Sequence, residues 1–217
     1  LPDPSGFLLF ILPSVLVSIA FAPILLSVAP MPRFETIKAK SLREVFHASP
    51  LTFGAMFLLG GVFAAQFGMA AVYATEAGLS IGQGSFFVAI IFSGSLIMQS
   101  PIGWLSDRTD RRVLILGCAL AGGVASLFGF LFASSYVAIL GVAFIVGGVA
   151  NPLYSLFIAY LNDYLDPDDM AGASAALLFV NGVGAIAGPP VTAWLMSSFG
   201  PQGFWVSLAT LLLVMAA

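Results

Sequence analysis

Gly103-Trp104-Leu105-Ser106-Asp107-Arg108-Thr109-Asp110-Arg111-Arg112 is a polar stretch set between two long apolar runs. It holds three of the chain's seven basic residues within five positions. Two readings are open at the outset. The stretch is either a basic loop that orients the chain in a membrane or a structured turn with a mechanical task, and its surroundings must decide.

Hydrophobic residues make up 60% of the 217 and charged residues 8%, and the mean hydropathy is +1.07. A soluble domain carries about a quarter charged residues, so this chain cannot cover a water-facing surface and reads as an integral membrane protein. The formal charge of −3 says nothing of nucleic acid, because the placement of charges matters more than their sum. The single cysteine, Cys118, lies in an apolar run, which excludes an intrachain disulfide and suits a small packing residue. A chain beginning at Leu1 and stopping inside an apolar run at Ala217 reads as a piece of a longer protein.

A helical span needs roughly 20 apolar residues at about 1.5 Å each. Seven runs approach or reach that length: residues 7–28, 51–73, 84–102, 113–132, 136–160, 170–196, and 204 to the end. None alternates as a barrel strand would, and lipid offers exposed backbone no partner, so each is expected to be a helix. The connections then fall alternately on two sides. Residues 29–50, 103–112 and 161–169 share one side, and all seven Lys and Arg lie there: Arg33, Lys38, Lys40, Arg43, Arg108, Arg111 and Arg112. The opposite side has none, which makes the first side cytoplasmic.

Residues 29–50 form the longest and most charged connection. In it Leu42, Val45 and Phe46 recur at helical spacing beside Lys38, Lys40 and Arg43, which fits either an interfacial helix or a linker held near anionic headgroups. At 165–170, Asp166 is placed as an N-cap, Pro167 as the first helical residue, and Asp168 and Asp169 in the first turn, where they favour the helix dipole. Gly117, Ala121 and Ala125, then Ala119 and Gly123, then Gly184 and Gly188 form small-residue rows that let helices approach closely. Pro189 and Pro190 remove two backbone donors and predict a bend in the sixth span.

Catalytic chemistry finds no candidates. His47 stands apart in the connection 29–50; no cluster has metal-ligand spacing, and no serine is placed with a His–carboxylate pair. No lysine lies within a span, so a retinal Schiff base has nowhere to form, and no cofactor is expected. Polar side chains inside spans are few: Gln66, Gln99, Asn151, Tyr154 and Asn181. Asn151 and Tyr154 lie one turn apart on one face. Such residues either hydrogen-bond between helices or line a wet cavity for a polar solute, and Gln66, Asn151, Tyr154 and Asn181 are the cavity candidates. Glu76 and Asp163 lie near span ends, within reach of water.

Gly103, Asp107, Arg108, Arg111 and Arg112 match the pattern Gly-x-x-x-Asp-Arg-x-(Gly)-Arg-Arg, which resembles the cytoplasmic loop motif of the major facilitator superfamily. Asp110 stands where the family has glycine, so a left-handed turn there is expected to be harder to make. The Gly182–Pro189 run resembles the family's glycine–proline motif, and residues 29–50 fall where the family has its interdomain loop. The resemblance implies an all-α membrane fold, half of a two-bundle transporter. Residues 1–28 would be the last helix of an N-terminal half, 29–50 the cytoplasmic interdomain linker, and 51–217 a six-helix bundle of two inverted three-helix repeats, 51–132 and 136–217, with the last helix truncated.

By the same resemblance the protein is a secondary transporter of a small solute working by alternating access. Asp107 would meet a helix N-terminus of the missing half, and the arginines would pair with nearby carboxylates. Asp166, Asp168 and Asp169 would face that half's copy of the motif, and together these contacts would latch the cytoplasmic side. Gly184, Gly188, Pro189 and Pro190 would serve packing and bending. No span has a central carboxylate, so a coupling proton would have its site in the N-terminal half, and facilitated diffusion stays open. The rival reading is a non-transporting seven-helix receptor or scaffold subunit.

Overall fold

A computed structural model describes residues 7–26 and 40–217. The chain divides into two compact units, 1–36 and 37–217. In the first unit, helix α1 (Leu8–Leu25) contains Pro13 and Pro23. Within it the Ser14 and Ser18 hydroxyls donate back to the carbonyls four residues earlier, at 2.8 Å each, which satisfies them without any outside partner. Its described side chains are exposed but for Ala22, which is half-buried, and they are mostly apolar, as a helix suited to hydrocarbon requires. Arg33, Lys38 and the first part of the connection 29–50 lie outside the described residues.

The second unit begins with a short helix, α2 (Leu42–Ala48), held by a capping box: Ser41 caps the Glu44 amide and the Glu44 carboxylate accepts from the Ser41 amide. Val45 is buried and Phe46 meets Phe53 edge-on at 5.4 Å. The seven-residue α2 thus packs on the bundle that follows it.

That bundle is built from α3 (Pro50–Ala64), continuing through a π-helical turn (Ala65–Met69) into α4 (Ala70–Glu76), and then α5 (Ile81–Ser106), α6 (Arg111–Leu131), α7 (Tyr136–Asn162), α8 (Pro167–Phe199) and α9 (Gly203–Ala216). Among the described residues, five stretches are long and apolar enough to cross a membrane: Pro50–Glu76, Ile81–Ser106, Arg111–Leu131, Tyr136–Asn162 and Pro167–Ala216. The last is broken by a 3-10 turn at Gly200–Gln202. Gly200 sits there at φ +69, and a Cβ on Gly203 would overlap the Leu195 backbone, so the chain folds back at the turn.

Helix ends follow local chemistry more than hydropathy. Ser80 and Gln83 form a capping box that starts α5 three residues before the apolar run, and Ser135 caps α7. Helix α8 runs on through Pro189 and Pro190 to Phe199, although those prolines leave the carbonyls of Ala185 and Ile186 without their usual donors.

Glycines decide which helices touch. α3 packs along α8, α5 along α7, and α6 along α9. At the first crossing a Cβ on Gly60 would overlap the Asn181 carbonyl, and one on Gly184 would overlap that of Phe57. At the second, a Cβ on Gly94 or Gly147 would overlap the carbonyl of Phe144 or Ile91. At the third, Gly123 and Gly129 receive Leu213 and Trp205. Of the rows read from sequence, Gly184/Gly188 and Ala119/Gly123 are buried, whereas Gly117 and Ala121 face outward and only Ala125 of their row is packed.

The pairing is unchanged when α3–α6 and α7–α9 are exchanged: the first helix of each triplet meets the second of the other, and the third meets the third. That is the relation expected of two three-helix repeats, and the unit is an all-α bundle.

Candidate functional site

The stretch that opened the chain is mostly helix. Gly103–Ser106 close α5, Asp107 is its C-cap, Asp110 is the N-cap of α6, and Arg111 and Arg112 open α6. The true turn is four residues long. Asp110 has φ −61 and ψ 118, and its carboxylate accepts from the Arg112 amide at 2.8 Å. The expectation of a difficult left-handed turn is therefore corrected. The replacement of the family's glycine creates a helix cap, which asks for extended backbone.

The three arginines have different surroundings. Arg111 bonds the Asp163 carboxylate and also donates to Ser106 Oγ at 3.3 Å and the Ala159 carbonyl at 3.5 Å. Arg112 donates to the Tyr164 hydroxyl at 2.9 Å and lies 5.3 Å from the Tyr160 ring centroid. Arg108 stacks on Trp104 at 4.0 Å. The start of α6 is thereby tied to the end of α7. Asp107 is exposed, and its side chain has no hydrogen-bond or ion-pair partner among the described residues.

The acidic start of α8 has the predicted register, with Asp166 at the N-cap position and Pro167 first in the helix. The Asp166 side chain accepts no capping hydrogen bond, which corrects the expected cap. Asp169 instead pairs with Lys40 at 2.7 Å, and this carboxylate holds the lysine pKa above its ordinary value. In the adjoining capping box, hydrogen bonds from Ser41 lower the Glu44 pKa. Asp166 and Asp168 are exposed.

The mid-span polar residues separate into two groups. Asn181 is buried and donates to the Met56 carbonyl at 3.1 Å, beside the Gly60 and Gly184 crossing, so it ties α8 to α3. Gln66 and Asn151 meet. Gln66 Nε2 donates to the Val146 carbonyl at 3.4 Å, and Asn151 Nδ2 donates to Gln66 Oε1 at 3.2 Å and to the Gly147 carbonyl at 3.0 Å. Tyr154, one turn along, is half-buried, with its ring 6.3 Å from Phe63. Gln99 is exposed on α5 and joins neither group.

Sequence reading missed the aromatic side of this site. Phe63 lies 5.6 Å from Phe67, which stacks on Phe92 of α5 at 5.2 Å with an interplanar angle of 10°. Phe63, Gln66 and Phe67 share a helical face at i, i+3, i+4, and that spacing was the signal available. The π turn carrying Gln66 and Phe67 had none in hydropathy. One extra residue rotates everything after it by about 100°. It lets α3 turn Gly60 toward α8 while α4 turns Tyr73 into the buried cluster with Phe87, Phe204 and Trp205.

Among the described residues no cluster of His, Cys, Asp and Glu can hold a metal ion. The chain is 30% identical over 168 residues to the uncharacterized MFS-type transporter YfkF of Bacillus subtilis, a match covering 76% of this chain and 43% of that protein. It is 25% identical over 154 residues to the uncharacterized MFS-type transporter YcaD of Escherichia fergusonii, covering 70% and 38%, and 26% identical over 154 residues to YcaD of Escherichia coli, with the same coverage. The match thus spans less than half the length of these relatives. The family profile described as Major Facilitator Superfamily matches residues 51–217, and the chain, an integral multi-pass membrane protein, belongs to that superfamily.

Proposed function

We propose that this chain is the C-terminal half of a secondary transporter that moves a small solute by alternating access, and that residues 103–112 form part of its cytoplasmic latch. The observation that carries the latch is the uneven use of charge in that stretch. Arg111 and Arg112 are spent on Asp163, Tyr160 and Tyr164 of the same bundle, while Asp107 is held at the helix end, exposed and without a partner among the described residues. Asp107 is therefore presented to the N-terminal half, where a helix N-terminus would receive it.

Asp166 and Asp168 are presented likewise from α8, and Asp169 is withdrawn from that set by Lys40. A carboxylate at a helix N-terminus contributes about 0.3–1 kcal/mol when exposed and up to ~2 kcal/mol when partly buried. Losing it would shift a two-state equilibrium by about two- to thirty-fold. Asp107→Asn in the full-length protein should raise the reactivity of cysteines placed on the cytoplasmic side of the central cavity and lower it on the opposite side. Unchanged reactivity on both faces would remove the latch.

A further inference from the structure

The Gln66–Asn151 pair has only one arrangement of its amide atoms. Asn151 Nδ2 faces the Gly147 carbonyl at 3.0 Å, an acceptor only, so the nitrogen cannot exchange places with the oxygen. Gln66 is anchored in the same way by the Val146 carbonyl and so presents Oε1 to Asn151. Both Asn151 donor hydrogens are then used. Asn151 Oδ1 is left over. It has no partner among the described residues and is not among the buried, unpartnered polar atoms, and the same holds for the Tyr154 hydroxyl. The leftover atom is therefore an oriented acceptor that remains open at the surface.

Phe63 and Phe67 lie on the helical face of Gln66, the Asn151 partner, and Phe67 stacks nearly parallel on Phe92, both about half exposed (48% and 49%). Among the described residues the helices that carry this strip have no charged side chain except Glu76 at the end of α4. A permanent ion placed against such a wall loses hydration with nothing opposite to replace it.

We infer that this face takes a neutral solute with a planar, largely apolar body and at least one N–H or O–H donor, the body lying on the Phe67–Phe92 strip and the donor reaching Asn151 Oδ1. The inference rests on the transporter reading for its purpose and on the amide arithmetic for its chemistry. The Tyr154 hydroxyl supplies a second polar contact that rotates to suit. Lipid tails would cover the phenyl rings equally well but would leave the acceptor unpaired, and a buried acceptor without a partner is costly.

Two isosteric probes isolate the donor: indole has a ring N–H where benzofuran has an oxygen. Binding of each to the full-length protein in nanodiscs is measured as the excess over protein-free nanodiscs. Indole is expected to bind about five- to tenfold more tightly than benzofuran, the worth of one hydrogen bond, and more tightly than the anion indole-3-carboxylate. Asn151→Ala should erase the indole preference, and Phe67→Ala should weaken both neutral probes while leaving their ratio. The wild-type ratio keeps the test decisive if either variant fails to fold. Equal binding of indole and benzofuran, no excess binding of either, or a preference that survives Asn151→Ala overturns the inference. If the probes fail while Asp107→Asn still shifts two-sided accessibility, the site is wrong and the transporter reading stands. If they discriminate as expected while accessibility is unchanged, the site stands and the latch falls.

Discussion

Asp110 shows how one residue changes a motif without disabling it. Its carboxylate accepts from the Arg112 amide, so the residue caps the start of α6 with a side-chain hydrogen bond. Asp110→Ala should destabilise the bundle by about 1 kcal/mol and Asp110→Gly by only a few tenths, read as shifts in thermal unfolding of the purified protein. No measurable cost for Asp110→Ala would mean the cap contributes nothing. Arg111 and Asp163 make a contrasting case. The pair is exposed on the carboxylate side, at 48%, and exposed pairs contribute about 0–1 kcal/mol. Its role is to position the loop, and its worth to stability is small. Asp110 is visible in the sequence as a departure from the family, but its extended backbone is a property of the helix it opens.

At the scale of elements, the helix crossings and α2 make separate demands. Gly60 and Gly184 sit where α3 and α8 touch backbone to backbone, whereas Gly54, Gly68 and Gly141 meet nothing within 4 Å. Alanine at Gly60 or Gly184 forces the helices apart, and overpacking of this kind costs about 1–3 kcal/mol. Alanine at Gly54 should be neutral or stabilising by up to about 1 kcal/mol. Thermal unfolding of the four single variants Gly60→Ala, Gly184→Ala, Gly54→Ala and Gly141→Ala checks the contrast, and a ranking unrelated to the crossings would refute it.

Helix α2 depends on pH at both ends. The Glu44 pKa is lowered by its bonds from Ser41, so the capping box is present above the ordinary carboxyl pKa and is lost as pH falls through the lowered folded value. The Lys40 pKa is raised by Asp169, so that pair is fully present below the ordinary lysine pKa and is lost as pH rises through the raised one. A spin label at exposed position 43 should be immobile near neutral pH and gain mobility at either extreme. Mobility independent of pH would show that Val45 and Phe46 alone hold α2.

For the molecule as a whole, the prediction concerns sidedness. Cysteines at Thr109 and Tyr164 should be labelled from one face of the membrane, and cysteines at Gly78, Ser134 and Gln202 from the other, using impermeant thiol reagents on intact and inverted vesicles. A mixed result would break the alternation on which the basic loops were assigned to the cytoplasm. Membrane class, helical fold and family were legible without structure, because lipid leaves the backbone one economical solution and because Gly103–Arg112 is distinctive. The spans, too, were located by hydropathy to within a few residues, and the capping box at Ser80, which starts α5 ahead of its apolar run, accounts for part of the difference.

Tertiary structure alone decided which polar residues meet. In the sequence Gln66, Asn151 and Asn181 are three equivalent amides. In the bundle, a glycine crossing commits Asn181 to the Met56 carbonyl, while the π turn brings Gln66 to Asn151 and Phe67 to Phe92. Hydropathy along a chain records how much each residue avoids water, and that sufficed for the membrane and the helices. It carries no record of rotation about a helix axis, and the site is made by rotation: one inserted residue and a few missing Cβ atoms determine which faces look at one another.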